Sequence, residues 1–200
     1  MLFRSVLLDP FCGSGTIPIE AAMMAGNMAP GLAREFDCQE WPQIPKKVWY
    51  DALAEARDLV RPAQEGAIWG SDISAEAIDY ATHHAKLAGV AGLTRFRRMD
   101  MRQLETDREY GFVVTNPPYG QRLGEDRDNA RLYHDMGVAF SRLPTWSFSI
   151  ITADPHFEKA FGRKADKKRK LYNGGIRCDD YQFWGPRPPR PERQPRTEAP

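Results

Sequence analysis

The chain has 200 residues, of which 42% are hydrophobic and 28% are charged, and its formal net charge is +1. These values predict a soluble globular protein with one sizeable core. They exclude a global electrostatic attraction to nucleic acid, so any basic surface for such a partner must be local. The three cysteines are far apart and form no CxxC pair, and no apolar run is long enough to span a membrane. We therefore expect a cytoplasmic protein without a structural metal.

Short apolar runs alternate with amphipathic segments, a pattern typical of a parallel α/β sheet. In chain order, it predicts strands at 5–9, 67–72, 94–98, 111–115, 146–152 and 177–184, a further short strand near 169–173, and helices at 14–26, 46–61, 75–88 and 129–143. Residues 27–45, which contain three prolines, are predicted to be a long irregular connection. We interpret residues 1–184 as one domain and the Pro- and Arg-rich residues 185–200 as a disordered tail.

The first predicted strand leads through a glycine-containing loop into a helix. The candidate residues of this loop are Asp9, Phe11, Cys12, Gly13, Ser14, Gly15 and Thr16. The two glycines permit a sharp turn and let a ligand approach the N–H groups at the helix N-terminus. A carboxylate at the mouth of the loop would repel a phosphate and attract an ammonium group. The loop therefore predicts S-adenosylmethionine, which has an ammonium group and no phosphate, and a plain tight turn is the alternative.

Two further acids end the second and third predicted strands. We expect Asp72 to accept hydrogen bonds from ribose hydroxyls, the alternative role being a helix cap that Ser74 fills more naturally. Asp100 is either an acceptor for the adenine amine or a surface turn residue, and Ile73 and Met101 are placed to sandwich the ring. Ligands of parallel sheets bind where the strands end, so acids at three successive strand ends favour a nucleoside site.

The sequence Asn116, Pro117, Pro118, Tyr119 directly follows the fourth predicted strand. The prolines fix the backbone and remove two N–H donors, which leaves the Asn116 amide oxygen and the Pro117 carbonyl as acceptors. Two acceptors suit an amine on an aromatic ring, because hydrogen bonds to both of its N–H groups localise the nitrogen lone pair. Tyr119 can stack on the base. The loop therefore predicts methyl transfer to a nucleobase amine, with Asn116 next to the cofactor, and a plain turn is the alternative.

On these two motifs, the chain resembles the class I, Rossmann-type methyltransferases that methylate amines. More closely, it is similar to the bacterial THUMP-associated guanine-N2 methyltransferases of 23S ribosomal RNA, which are often labelled adenine-specific DNA methylases. Residues 116–124, 170–174 and 40–42 carry this closer similarity, which covers roughly residues 6–184. It implies a mostly parallel, twisted sheet with helices on both faces, and methylation of guanine N2 in large-subunit ribosomal RNA.

The resemblance also implies a THUMP domain and a pocket-closing helix, which we expect upstream in the full-length protein. Three alternatives stay open: a DNA adenine-N6 methyltransferase, a tRNA guanine-N2 methyltransferase, and a truncated, inactive domain that only binds cofactor or RNA. The basic run 163–170 either lies along an RNA backbone or is a solvated loop. Three aromatic residues near it could add stacking to such a contact, but we expect core packing for them instead: Phe157, Phe161 and Tyr172.

Overall fold

The computed structural model describes residues 5–62, 67–118 and 126–189. Within these ranges, strands and helices alternate in the predicted order. The strands are β1 (Leu7–Asp9), β2 (Ile68–Asp72), β3 (Thr94–Arg98), β4 (Phe112–Thr115), β5 (Ser147–Thr152), β6 (Lys167–Asn173) and β7 (Ile176–Phe183). The helices are α1 (Thr16–Ala25), α2 (Lys46–Asp58), α3 (Ala75–Leu87), α4 (Asp126–Ser141) and α5 (Phe157–Phe161).

The described strands form one sheet in the order β3-β2-β1-β4-β5-β7-β6. Strands β1 to β5 are parallel, whereas β7 runs antiparallel to both of its neighbours. This topology confirms the predicted mostly parallel α/β fold. The carboxyl ends of β1 to β5 all lie at one edge of the sheet, which we call the carboxyl edge. Loops at this edge hold the ligands of open parallel sheets.

Helices cover both faces of the sheet, as predicted. The face under α1 and α3 buries a small cluster made of Ile19, Ala21, Ala22, Ile68, Ala85 and Val90. The face under α4 and α5 buries a larger cluster rich in aromatic rings, which includes Tyr133, Met136, Phe140, Trp146, Phe148, Phe157, Phe161, Tyr181 and Phe183. The regular spacing of apolar residues along α4 explains why its position was readable from the sequence.

The structure differs from the sequence predictions in several elements, among them α4, which begins at Asp126 and not at 129. Helix α5 was not predicted, because five residues are too few to establish a helical period. Strand β6 begins at Lys167, two residues before the expected start, since its lysines and arginines conceal the strand pattern. Helix α2 ends at Asp58, three residues before the expected end, and has no fully buried residue; its Trp49 packs edge-on against Phe36, with ring centroids 5.7 Å apart.

The last described strand ends at Phe183, and the division into a domain at 1–184 and a tail at 185–200 stays a prediction. Residues 184–189 have no regular secondary structure, and the rest of the predicted tail lies outside the described residues. No helix in the described ranges combines the length and apolar character that a membrane crossing requires.

Substituting Gly137 by alanine should destabilise the fold. A Cβ at this position of α4 would lie 2.1 Å from the Phe161 carbonyl oxygen of α5, which is backbone and cannot swing away. The resulting overpacking should cost ~1–3 kcal/mol, more than the ~1 kcal/mol that alanine gains over glycine inside a helix. Urea unfolding of Gly137→Ala measures the loss. The matched control is Gly92→Ala, where a Cβ meets nothing within 4 Å, and equal stability of the two variants would contradict the packing argument.

Candidate active site

The glycine loop turns the chain from β1 into α1 at the carboxyl edge. Gly15 has φ +89° and is the residue before the helix, so it occupies a backbone conformation that side chains rarely adopt. A Cβ there would also lie 3.0 Å from the Cβ of Ala81 on α3. The close approach of α1 and α3 therefore requires glycine on steric grounds as well. Thr16 is the first residue of α1, which begins two residues later than the predicted start at 14.

Two neighbouring elements hold the loop in place. The Cys12 N–H donates to the Ser71 carbonyl oxygen at 3.0 Å, and the Gly13 N–H donates to Asp72 Oδ2 at 3.0 Å. His84 Nδ1, from α3, lies 3.0 Å from the Ser14 carbonyl oxygen. A carbonyl can only accept, so His84 carries its proton on Nδ1 in this contact. No local pattern connects this histidine with the loop, because the contact joins residues 70 positions apart.

Asp9 is buried beneath the loop, so the expectation that it lies at the mouth is wrong. Its side chain is 1% exposed, and its Oδ1 accepts hydrogen bonds from Thr115 Oγ1 at 2.6 Å and from the Phe11 N–H at 3.1 Å. Burial raises the pKa of Asp9 from 3.8 to about 7, the two hydrogen bonds oppose the shift, and the nearby Asp72 carboxylate adds to it. The carboxylate ties the end of β1 to the end of β4.

Asp72 lies at the end of β2, beside the glycine loop. Its Oδ2 receives the Gly13 N–H, and its Oδ1 accepts from the Ser74 N–H at 2.9 Å. Ser74 caps α3, because its hydroxyl accepts from the Ala77 N–H. The helix cap is therefore Ser74 and not Asp72, and Asp72 is partly exposed beside the loop. Ile73, directly after it, is 61% exposed and available to a planar ring.

Asp100 and Met101 differ more from what the sequence suggested. The Asp100 carboxylate forms an ion pair with Arg102, at 2.9 Å from Nη2, and also accepts from the Arg102 N–H. These contacts hold the pKa of Asp100 below its usual value. Met101 is only 4% exposed and packs in the larger core cluster. The expected sandwich of a ring between Ile73 and Met101 is therefore wrong for Met101, and only Ile73 is exposed. The apolar neighbours of Met101 explain its burial.

Asn116 follows β4 at the carboxyl edge. Its Oδ1 is buried and has no hydrogen-bond partner among the described residues. A buried amide oxygen without a partner is costly and therefore uncommon. Pro117 is buried and Pro118 is half-buried, which fits a rigid loop. Tyr119, the predicted stacking residue, lies outside the described residues.

Sequence reasoning missed two side chains at this edge. Thr115, the last residue of β4, is fully buried and donates to Asp9, which connects the glycine loop to the Asn116 loop. Asn129 is 6% exposed in the first turns of α4, and its Oδ1 also has no partner among the described residues. Asn129 lies on the same face of α4 as the apolar positions 133, 136 and 140. A polar residue on that otherwise apolar face could have identified it from the sequence.

Cys12 does not have the properties of a nucleophile. It is 6% exposed, and burial together with the Asp9 and Asp72 carboxylates raises its thiol pKa to about 12. The thiol is therefore neutral at physiological pH, whereas a nucleophilic cysteine acts as the thiolate. Within the described ranges, no three His, Cys, Asp or Glu side chains gather in an arrangement that could hold a metal ion.

The sheet order and the glycine loop after its first strand define a class I, Rossmann-like methyltransferase fold. A solved structure described as "SMU.472, a putative methyltransferase complexed with SAH" superposes with a TM-score of 0.89 at 39% identity, over 94% of this chain and 50% of that one. The family model "RMKL-like, methyltransferase domain" matches residues 4–182, and the chain belongs to this family. The family confirms the predicted cofactor, S-adenosylmethionine.

Two curated relatives show how much of a longer protein this chain corresponds to. It is 43% identical over 192 residues to "Putative RNA methyltransferase YpsC" of Bacillus subtilis, which covers 96% of this chain and 49% of the relative. It is 42% identical over 179 residues to "Ribosomal RNA large subunit methyltransferase K/L" of Allochromatium vinosum, covering 86% of this chain and 24% of the relative. The chain thus spans about half of the first and about a quarter of the second.

Replacing Asp9 by asparagine should change how stability depends on pH. Because the folded-state pKa of about 7 lies above the ordinary 3.8, the folded chain retains a proton that the unfolded chain releases between these values. In the wild type, this group therefore lowers the free energy of unfolding as the pH rises from 4 to 7. The stability of Asp9→Asn relative to wild type should rise over this window by up to ~4 kcal/mol.

Urea unfolding at pH 2.5, 4, 5.5, 7 and 8 measures this difference and also covers the acid range in which the control responds. Asp100→Asn is the control of opposite sign, because the Asp100 pKa is lowered and its charge favours the folded state. The stability of that variant should fall relative to wild type as the pH rises through the acid range. A pH-independent difference between wild type and Asp9→Asn would show that Asp9 titrates normally.

Proposed function

We propose that this chain is the catalytic domain of an enzyme that transfers a methyl group from S-adenosylmethionine to the exocyclic N2 amine of a guanine in large-subunit (23S) ribosomal RNA. The observation that carries the proposal is the buried Asn116 Oδ1, which has no partner among the described residues and lies at the carboxyl edge beside the glycine loop. An acceptor held without a partner suits a donor that arrives with the substrate. The family and its relatives support methyl transfer to RNA.

The residues around the glycine loop suit the cofactor. A Cβ on Gly13 would meet nothing within 4 Å, so a ligand has open space above this turn. The α1 N-terminus provides N–H groups without a side-chain cap, Asp72 supplies carboxylate oxygens beside the loop, and Ile73 supplies an exposed apolar surface. When bound, S-adenosylmethionine supplies a methyl group activated by its positively charged sulfur. Asp9 adds negative potential below the loop once it is ionised, which favours a cation above it.

The part of Asn116 and Pro117 is to orient the target amine. Their oxygens accept the two N–H groups of the amine, so the nitrogen lone pair is directed away from the aromatic ring. The hydrogen bond between Thr115 and Asp9 fixes the distance between this loop and the cofactor loop. Holding both reactants in place can supply much of the catalysis, because the methyl donor is already activated. We propose that Tyr119 stacks on the target base.

The Asn116→Ala and Asp72→Ala variants should separate turnover from cofactor binding. Loss of the Asn116 acceptor should abolish methyl transfer while leaving the Kd for S-adenosylmethionine nearly unchanged, because the interaction forms with the substrate amine. Loss of Asp72 should weaken cofactor binding by ~1–3 kcal/mol through lost hydrogen bonds. Calorimetry with the cofactor and a methylation assay with the full-length protein provide the two measurements. Full activity of Asn116→Ala would refute the assigned role.

Mass spectrometry of nucleosides tests the substrate. Deleting the gene should remove one N2-methylguanosine from 23S ribosomal RNA and leave N6-methyladenine in DNA unchanged, since a target base leaves a loop or bulge of RNA more easily than an intact duplex. Complementation with wild type, but not with Asn116→Ala, should restore the modified nucleoside. Lost N6-methyladenine in DNA, or lost N2-methylguanosine in tRNA, would support the corresponding alternative. The expected site of action is the cytoplasm, where ribosomal RNA is processed.

A further inference from the structure

The β6–β7 hairpin extends past the neighbouring strand at the carboxyl edge. Strand β5 ends at Thr152, which pairs with Asp179 of β7, whereas β7 begins three residues earlier, at Ile176. At about 3.4 Å per residue, the hairpin therefore projects roughly 10 Å beyond the end of β5. The turn is the Gly174–Gly175 pair, because Asn173 pairs with Ile176. We call residues 170–177 the hairpin tip.

The hairpin tip presents an aromatic ring between cations. Tyr172 is 64% exposed, which corrects the expectation that it packs in the core, where Phe157 and Phe161 do lie. Lys170 Nζ lies 5.3 Å from the centre of the Tyr172 ring on the same strand. Arg177 pairs with Tyr172 across the hairpin, on the same face of the sheet. The whole stretch from Lys167 to Lys170 is basic and exposed.

Most of these charges are available to a partner. Lys168 forms an ion pair with Glu158, and Arg177 approaches Asp179 at 3.9 Å. Within the described residues, Lys167, Arg169 and Lys170 form no ion pair, since none has a carboxylate oxygen within 4 Å. Three of the four basic side chains at 167–170 are therefore not in an ion pair within the described residues, although Asp179 and Asp180 of β7 lie opposite Lys170 and Arg169. Such a surface suits the phosphate backbone of a nucleic acid.

We propose that the hairpin tip contacts single-stranded RNA beside the target nucleotide, with Tyr172 stacking on a flanking base and Lys170 and Arg177 contacting phosphates. The inference rests on the proposed function and adds a binding surface to the same site. Strands β7 and β6 lie two and three strand spacings from β4, roughly 10 and 14 Å, so nucleotides next to a base at Asn116 can reach the tip. Aromatic stacking combined with basic side chains is a common way to hold single strands.

The test compares Tyr172→Ala with Tyr50→Ala in the full-length protein. Both tyrosines are 64% exposed, and Tyr50 lies on α2, away from the hairpin. Binding to protein-free 23S ribosomal RNA should weaken roughly tenfold in Tyr172→Ala, stay unchanged in Tyr50→Ala, and recover in Tyr172→Phe, which retains the ring. The Kd for S-adenosylmethionine should be the same in all of them, which excludes a folding defect.

A second comparison tests the charges. The double variant Lys170→Ala/Arg177→Ala should reduce the slope of log K against log salt by about 1.4, the value for two contacts to single-stranded RNA. Lys47→Ala/Arg57→Ala on α2 is the matched control and should leave the slope unchanged. If the wild type does not methylate RNA, the proposed function fails. If the wild type does methylate RNA, but Tyr172→Ala binds RNA as tightly as Tyr50→Ala does, this inference is overturned. It is also overturned if the substitution weakens binding to anionic lipid vesicles and leaves RNA binding unchanged, because the tip would then be a membrane contact.

Discussion

The hydrogen bond between Thr115 and Asp9 joins the two loops on which the site depends. It links the last residues of β1 and β4, which are neighbours in the sheet but 106 positions apart in the chain. Asp9 also receives the Phe11 N–H, so one buried carboxylate fixes the start of the glycine loop and its distance from Asn116. Burial makes this carboxylate costly when ionised, so the molecule retains a destabilising group between the two loops of the proposed site.

The fold was readable from the sequence because its main strands and helices are long enough to show a period. Strands β2 to β5 and helix α3 lie within a residue or two of the predicted bounds. The two loop motifs were also readable, since glycine and proline restrict the backbone in ways that do not depend on distant residues. Their position at one edge followed from the parallel topology alone.

The burial of the site's side chains and their hydrogen-bond partners could not be predicted from the sequence in the same way. The sequence placed Asp9 at the mouth of the loop, and the structure buries it, because Thr115 comes from a strand whose contact with β1 is purely tertiary. The burial of Met101 likewise depends on how the connection after β3 packs against α4, whereas the contacts of Asp100 with Arg102 are local, two residues apart. The overhang of the β6–β7 hairpin depends on the register between β5 and β7, which are joined by a long connection and not by a tight turn that would fix their register.

The position of β6 at the end of the sheet has a consequence for the protein when it is alone. The outer side of β6 has no neighbouring strand among the described residues, so its backbone groups can pair with a strand of another molecule. Lys167, Lys168, Arg169 and Lys170 place like charges opposite each other when two copies approach at this strand. The repulsion between these charges protects the open side of β6 against aggregation. A bound polyanion would remove that protection by neutralising the charges.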